Sequence, residues 1–318
     1  MEFVLTHPMH THPYHPELVT GSGVAAVAAA TERAGFDGFG FTDHPAPTQR
    51  WLEAGGHDAL DPFVAMGYAA AVTSTLRLIP NLVVLPYRNP LLVAKAGATL
   101  DRLSGGRVVL AVGVGHLKGE FAALGVDYEK RAGLVDEALD VIGRIWTDDA
   151  VSFAGEHFEF RGVTARPRPA ARPRIWIGGN TAAARRRVAT FGDGWCPFAA
   201  SQILARATRT ATMDADAALV DGIDDLRRRC DRAQRDIATI DITFNGLRGT
   251  PGTPGFNADA YLTEVSRLAQ LGVTAMQVSV PGDGLAHALE AIEEFGEDVV
   301  SQIREGRHRE RPRRAYRA

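Results

Sequence analysis

Hydrophobic and polar positions along this chain alternate between two rhythms. Short apolar or β-branched runs predict strands at residues 3–6, 38–42, 76–85, 108–112, 174–177, 194–195, 238–244 and 275–280. Between them, spacings of three and four predict helices at 19–34, 62–73, 91–103, 130–146, 182–190, 214–235, 261–271 and 285–303. Gly35 and the Ser104-Gly105-Gly106 run stand where helix C-termini take glycine. Residues 151–160 break the period: they alternate around Ala154-Gly155-Glu156 and read as a hairpin inserted after the fourth βα unit.

Alternation of this kind implies a parallel sheet with right-handed crossovers. Eight units favour a closed (β/α)8 TIM barrel over residues 1–303, with a doubly wound open sheet as the alternative. Residues 304–318, rich in arginine and poor in hydrophobes, are expected to form a disordered tail.

Composition narrows the function classes. With 318 residues, 45% of them hydrophobic, the chain can bury a large core as one barrel. A formal net charge of −3 calls for neither nucleic acid nor an anionic membrane. Cys196 and Cys230 are too few for a disulfide framework and are not spaced as a metal motif, so a cytoplasmic location is expected. The N-terminus lacks a basic stretch followed by a long apolar one. No apolar run approaches the roughly 18 residues of a membrane span.

A barrel carries its chemistry at the C-terminal ends of its strands. Strand one is followed by a loop with four histidines, His7, His10, His12 and His15. His10-Thr11-His12 is the kind of pair that opens metal-dependent barrel hydrolases, but strands five, six and eight end in Gly178-Gly179-Asn180, Trp195-Cys196-Pro197 and Val280-Pro281-Gly282, so no metal is expected. The loop lines a substrate pocket or caps the barrel. Strand two ends in Asp43-His44, either a positioned titrating pair or a turn cap beside an exposed histidine. Strand four ends in Gly113-Val114-Gly115-His116, where glycines let a ligand approach the backbone. Lys118 replaces the last glycine of a dinucleotide fingerprint. Gly178, Gly179, Asn180 and Thr181 precede a helix and suit either an anion site or an ordinary capped helix with a basic face (Arg185, Arg186, Arg187).

Several stretches together resemble the luciferase-like flavin oxidoreductases, and within them the class dependent on the deazaflavin coenzyme F-420. They are Ala34-Gly35-Phe36-Asp37-Gly38 leading to Thr42-Asp43-His44; Asp61-Pro62-Phe63; Leu85-Pro86-Tyr87-Arg88-Asn89-Pro90; the run from Ala98 to Arg107 containing Thr99-Leu100-Asp101-Arg102-Leu103-Ser104-Gly105-Gly106; Gly113-Val114-Gly115; Ile175-Trp176-Ile177-Gly178-Gly179; and Phe191-Gly192-Asp193-Gly194-Trp195. They span roughly residues 1–200 in the family's order. The resemblance implies a tricyclic ring at the barrel mouth, with Asp43 and His44 beside it and Gly113 and Gly115 against it. Gly178, Gly179, Asn180 and Thr181 would lie at its phosphate end. A bulge with a cis peptide, counted as Val84–Leu85, would back the ring. His116 stands where some relatives carry a glutamate acid, so sugar-phosphate chemistry is not expected.

The resulting expectation is hydride transfer between coenzyme F-420 and a small organic substrate. His44 is the proton donor or substrate anchor, Asp43 orients it, and His116 is second. His7, His10, Trp51, Tyr87, Trp195 and Phe198 form the substrate wall. The alternatives are a monooxygenase using reduced FMN and oxygen, or a homologue that binds cofactor without catalysis. A homodimer is expected, because the family commonly pairs through barrel helices.

Overall fold

Two rules shape the molecule: strands turn alternate side chains to opposite faces, and helices cover the outer face. The computed structural model describes residues 1–245 and 249–308. Its strands are β1 (Glu2–Thr6), β2 (Gly38–Gly40), β3 (Arg77–Leu78), β4 (Val83–Val84), β5 (Val109–Gly113), the pair β6 (Val151–Ala154) and β7 (Glu159–Val163), then β8 (Arg174–Gly178), β9 (Gly194–Cys196), β10 (Asp241–Phe244) and β11 (Ala275–Val278). Apart from the antiparallel β6–β7 hairpin, all neighbours pair in parallel, in the order β3-β2-β1-β11-β10-β9-β8-β5-β4. A parallel bridge from Leu78 to Val108 closes the ring. β3 and β4 are therefore two pieces of one third strand, and the sheet is an eight-staved (β/α)8 barrel.

The outer layer is α1 (Gly21–Arg33), α2 (Gln49–Glu53), α3 (Pro62–Val72), α4 (Pro90–Ser104), α5 (Lys118–Ala123), α6 (Arg131–Thr147), α7 (Ala182–Phe191), α8 (Gln202–Thr208), α9 (Asp216–Arg232), α10 (Ala258–Leu271), α11 (Leu285–Phe295) and α12 (Ser301–His308). Their starts follow from capping side chains. Thr20 accepts from the Gly23 N–H, and Asp61 accepts from Phe63 and Val64 just before Pro62. The short helices α2, α5 and α8 lie in loops that the sequence pattern left unassigned.

Phe3 and Leu5 of β1 point outward into the main core, while Val4 points inward beside Ile79, Val109, Ala111, Trp176 and Cys196, with Leu82 packed above. The barrel floor is polar. Arg77 pairs with Glu2 at 2.5 Å, Arg174 with Asp241 at 2.7 Å, and the Trp176 indole N–H donates to Asp241.

Two expectations need correction. The third strand is not continuous over 76–85, and its cis peptide between non-proline residues is Asn81–Leu82, not Val84–Leu85. Leu85–Tyr87 forms a 3-10 turn, which advances less per residue than extended chain, so counting back from Arg88 along a strand misplaced the bulge. The last helix also passes the predicted boundary at 303: it runs to His308, and Arg304 bonds to the carbonyl of Gly35. Residues 309–318 of the expected tail lie outside the described residues.

Candidate active site

The mouth is organised by a carboxylate the sequence reading missed. Glu120, on α5, is fully buried. One oxygen accepts from the Ala46 N–H at 3.0 Å. The other lies 3.1 Å from His44 Nδ1 and accepts from the Tyr87 hydroxyl at 2.9 Å. Burial alone raises a carboxyl's pKa, but the bonds from His44, Ala46 and Tyr87 and the charge of His44 outweigh it and hold Glu120 below the usual range. Tyr87, partly buried and facing that negative charge, has its pKa raised and stays a neutral donor.

His44 is thereby fixed with one ring nitrogen bonded and the other left for a ligand. Its ring lies 4.7 Å from Trp51, 5.0 Å from His57 and 6.3 Å from His116. His10 stands 6.4 Å beyond His57, and its buried Nε2 has no partner. The structure thus gathers His44, His116, His10, Trp51 and Tyr87 from the predicted set and adds Glu120 and His57. Phe198 is partly exposed on the far rim.

Asp43 does not orient His44. Arg88 grips it with two bonds, at 2.6 and 2.8 Å, and it also accepts from the Val84 N–H at 2.8 Å. Its role is to tie strand two to the bulged third strand. Trp195 does not face the barrel interior, and His7 lies under the mouth with its buried Nδ1 unpartnered. Alternation along β9 turns Trp195 away from the barrel interior: it is fully buried, against Gly222 of α9, with its N–H bonded to the Gly179 carbonyl. His7 packs on Phe39 and Phe41, 2.8 Å from the Leu18 carbonyl. Val84 lies with Phe121 and Tyr128, and Leu85 belongs to the outer core.

Leu82 packs instead on the ends of β5 and β8. A Cβ on Gly113 or Gly178 would come within 3.2 or 2.2 Å of its Cδ1, so the two glycines and Leu82 share one tight floor. Gly115, at φ +72, is needed for a different contact, its approach to Val84 and Phe121. The floor and the orphaned His10 nitrogen fit a flat heteroaromatic ring with a polar edge. Asn180 has little to offer a ligand. Its amide donates to the Phe198 and Ala211 carbonyls and accepts from the Phe198 N–H, while its own N–H reaches Thr210 Oγ1. Thr181 caps α7, and Arg185, Arg186 and Arg187 are paired with Asp225 or Asp136. Among the described residues, no group of three or more His, Cys, Asp or Glu is placed to hold a metal ion.

Burial lowers His7, His10 and His116 from 6.5 to about 4. For His10 and His116, neighbouring imidazoles add to the effect. The unfolded chain takes up these protons below about pH 6.5, whereas the fold refuses them until about 4. Stability is thus unaffected above pH 7 and falls as pH drops through that window, by up to about 1.4 kcal/mol per unit per histidine. Melting followed by circular dichroism should show a Tm roughly 5–15 °C lower at pH 5 than at pH 7.5. A flat profile would mean that these rings are not held neutral.

Comparison with known proteins agrees with this architecture. A family model described as luciferase-like monooxygenase matches residues 1–247. An FMNH2-dependent dimethylsulfone monooxygenase of Pseudomonas putida is 32% identical over 173 residues, 52% of this chain and 46% of that protein. Among solved structures, the monooxygenase RslO1 from Streptomyces bottropensis superposes with a TM-score of 0.80 at 18% identity, covering 95% of this chain and all of the other. A secondary alcohol dehydrogenase described as F-420-dependent, in complex with a cofactor–acetone adduct, superposes at 0.75 with 16% identity, covering 94% of this chain and 98% of the other.

Proposed function

Since the chain belongs to the luciferase-like monooxygenase family, we propose that it is an oxidoreductase transferring hydride between coenzyme F-420 and a small organic substrate. The observation that carries this reading is the His44–Glu120 pair at the mouth. Reduction of a carbonyl or similar group by hydride needs one proton, and oxidation of the product releases one. His44, with Nδ1 on Glu120, gives or takes that proton through its other nitrogen, and the negative charge of Glu120 stabilises the imidazolium. Trp51, His57 and His116 lie round the His44 ring, with His10 beyond His57, and offer a small substrate polar contacts without fixed charge. Leu82, Gly113 and Gly178 supply the floor on which a tricyclic ring rests. A deazaflavin contributes the hydride-bearing carbon itself and reacts poorly with oxygen.

A second reading keeps the site and replaces the cofactor by reduced FMN, making the protein a monooxygenase; its support is the likeness to the dimethylsulfone enzyme over 52% of the chain. Fluorescence titration with F-420 and with FMN separates the two. Tighter F-420 binding, with substrate-dependent oxidation of reduced F-420 under nitrogen, is the expected result. Tight binding of FMN alone would overturn the first reading in favour of the second. Bound F-420 with no turnover over a broad panel of carbonyl compounds would reduce the protein to a cofactor carrier.

The same reading makes the protein a cytoplasmic homodimer. Neither cysteine is paired, and no described helix is long and apolar enough to cross a membrane. α3 carries no charged residue and exposes Val64, Tyr68 and Val72 four residues apart, beside Leu92 and Leu103 of α4. An apolar face of this kind suits a second copy of the chain. Light scattering at micromolar concentration should give twice the chain mass, and Tyr68→Glu should halve it; a wild-type monomer counts against the dimer.

A further inference from the structure

The loops after strands four and six bring three cations to one aromatic ring. Lys118 begins α5, Arg131 begins α6 and Arg209 ends α8. Their charged groups lie 5.0, 3.8 and 5.1 Å from the centroid of Tyr128. One carboxylate, Glu129, faces all three, at 3.6, 3.9 and 3.6 Å. The group therefore keeps two positive charges in excess at a partly exposed cluster, where an anion would be favoured.

Arg209 points the same way independently. It sits at φ +52 in a helix C-cap, a left-handed position that glycine or asparagine ordinarily fills. A long cationic side chain held there is a feature the fold does not require. The neighbouring Thr210 bonds the Asn180 N–H, which docks this loop on the Gly178-Gly179 turn at the barrel mouth. On the other side, Tyr128 packs on Phe121 at 5.1 Å and Phe121 on Tyr87 at 4.8 Å, so the cluster is continuous with the wall that holds Glu120. Asn180 itself has its amide and backbone groups bonded within the protein, so its side chain offers no free donor to a cofactor tail.

We propose that Lys118, Arg131 and Arg209, gathered round Tyr128, seat the oxyanion tail on the cofactor's ribityl chain. The inference rests on the reading that the mouth holds a flavin-type ring. The tail chemistry is either the phosphate that FMN and F-420 share or the carboxylates that F-420 alone carries beyond it.

The test compares riboflavin, FMN and F-420 by fluorescence titration of the wild type and of a Lys118→Gln/Arg209→Asn variant, in which asparagine keeps the left-handed cap. Each lost charge-assisted contact is expected to weaken binding about tenfold. A loss for FMN and F-420 with riboflavin unchanged, shrinking at high salt, supports a phosphate seat; a loss for F-420 alone supports a carboxylate seat. Equal losses for all three, or none, overturn the proposal. The thermal shift caused by inorganic pyrophosphate reads the cluster without any ring: it should appear in the wild type and vanish in the variant. Should no flavin bind the wild type, the functional reading falls, and the pyrophosphate shift alone decides the cluster, its absence from the wild type or persistence in the variant being the negative result.

Discussion

Replacing His44 by alanine is expected to lower turnover about 100- to 1000-fold while moving the cofactor dissociation constant less than about threefold. The asymmetry follows from position. His44 is held by Glu120 and ringed by Trp51, His57 and His116, whereas the floor proposed for a flat ring is made by Leu82, Gly113 and Gly178. Glu120→Gln tests the partner. It keeps shape and hydrogen bonding but removes the charge that stabilises the imidazolium, so kcat should fall about 10- to 100-fold with KM nearly unchanged. Glu120 also anchors the Ala46 N–H and the Tyr87 hydroxyl. A melting temperature close to wild type must therefore accompany the kinetic loss. Wild-type turnover in His44→Ala would remove the histidine from the chemistry. A variant that loses cofactor affinity as much as turnover would make it a binding residue.

The barrel was legible because its signal is periodic. Each buried strand and each helix repeats a pattern over many residues, and the β6–β7 hairpin stands out by breaking it. The run from Ala98 to Arg107, specific for the family, proves structural where its last residue is concerned: the Arg107 guanidinium bonds the carbonyls of Ala70, Thr73, Leu76 and Ser104 and so fastens the end of α3 to α4. The candidate site was legible in part. His44 and His116 flank strand ends, where the fold directs attention, and they do meet. Glu120 was hidden because α5 is a six-residue helix in a loop, too short for periodicity to register, and its partner His44 lies 76 residues away. Trp195 was misplaced for a different reason. Proximity to a strand end says that a side chain is near the mouth, but one step of strand register decides whether it faces the barrel or the helices. Asp43 was adjacent to His44 in sequence and was assigned to it, yet neighbours along an extended chain point apart, and Arg88 claims the carboxylate.

The second large effect belongs to Gly40. A Cβ built there would lie 1.6 Å from the Ile79 carbonyl oxygen and 2.5 Å from its carbon. Neither atom is free to yield. The Ile79 N–H is bonded to Phe39 O at 2.9 Å, the Asn81 N–H to Phe41 O at 2.8 Å, and the Gly40 carbonyl accepts from His7 N at 2.8 Å, so strand two is pinned on both sides. Gly40→Ala must push the third strand away, and it is expected to cost at least about 3 kcal/mol, at the upper end of overpacking effects. Gly178→Ala makes the contrast. Its Cβ would clash with the Cδ1 of Leu82, at 2.2 Å, the end of a flexible side chain, while the Val112 carbonyl oxygen stays at an ordinary 3.5 Å. That variant should stay within about 1 kcal/mol of wild type in stability but lose cofactor affinity at least tenfold, because Leu82 would rise into the space for the ring. Gly143→Ala, in α6 with nothing within 4 Å of the added methyl, should stabilise by about 0.5–1 kcal/mol and serves as the control. Urea unfolding and a flavin titration on the three variants give the comparison. If Gly40→Ala unfolds at the wild-type midpoint, the close passage of strands two and three is wrong. If Gly178→Ala binds cofactor normally, the ring does not rest on Leu82.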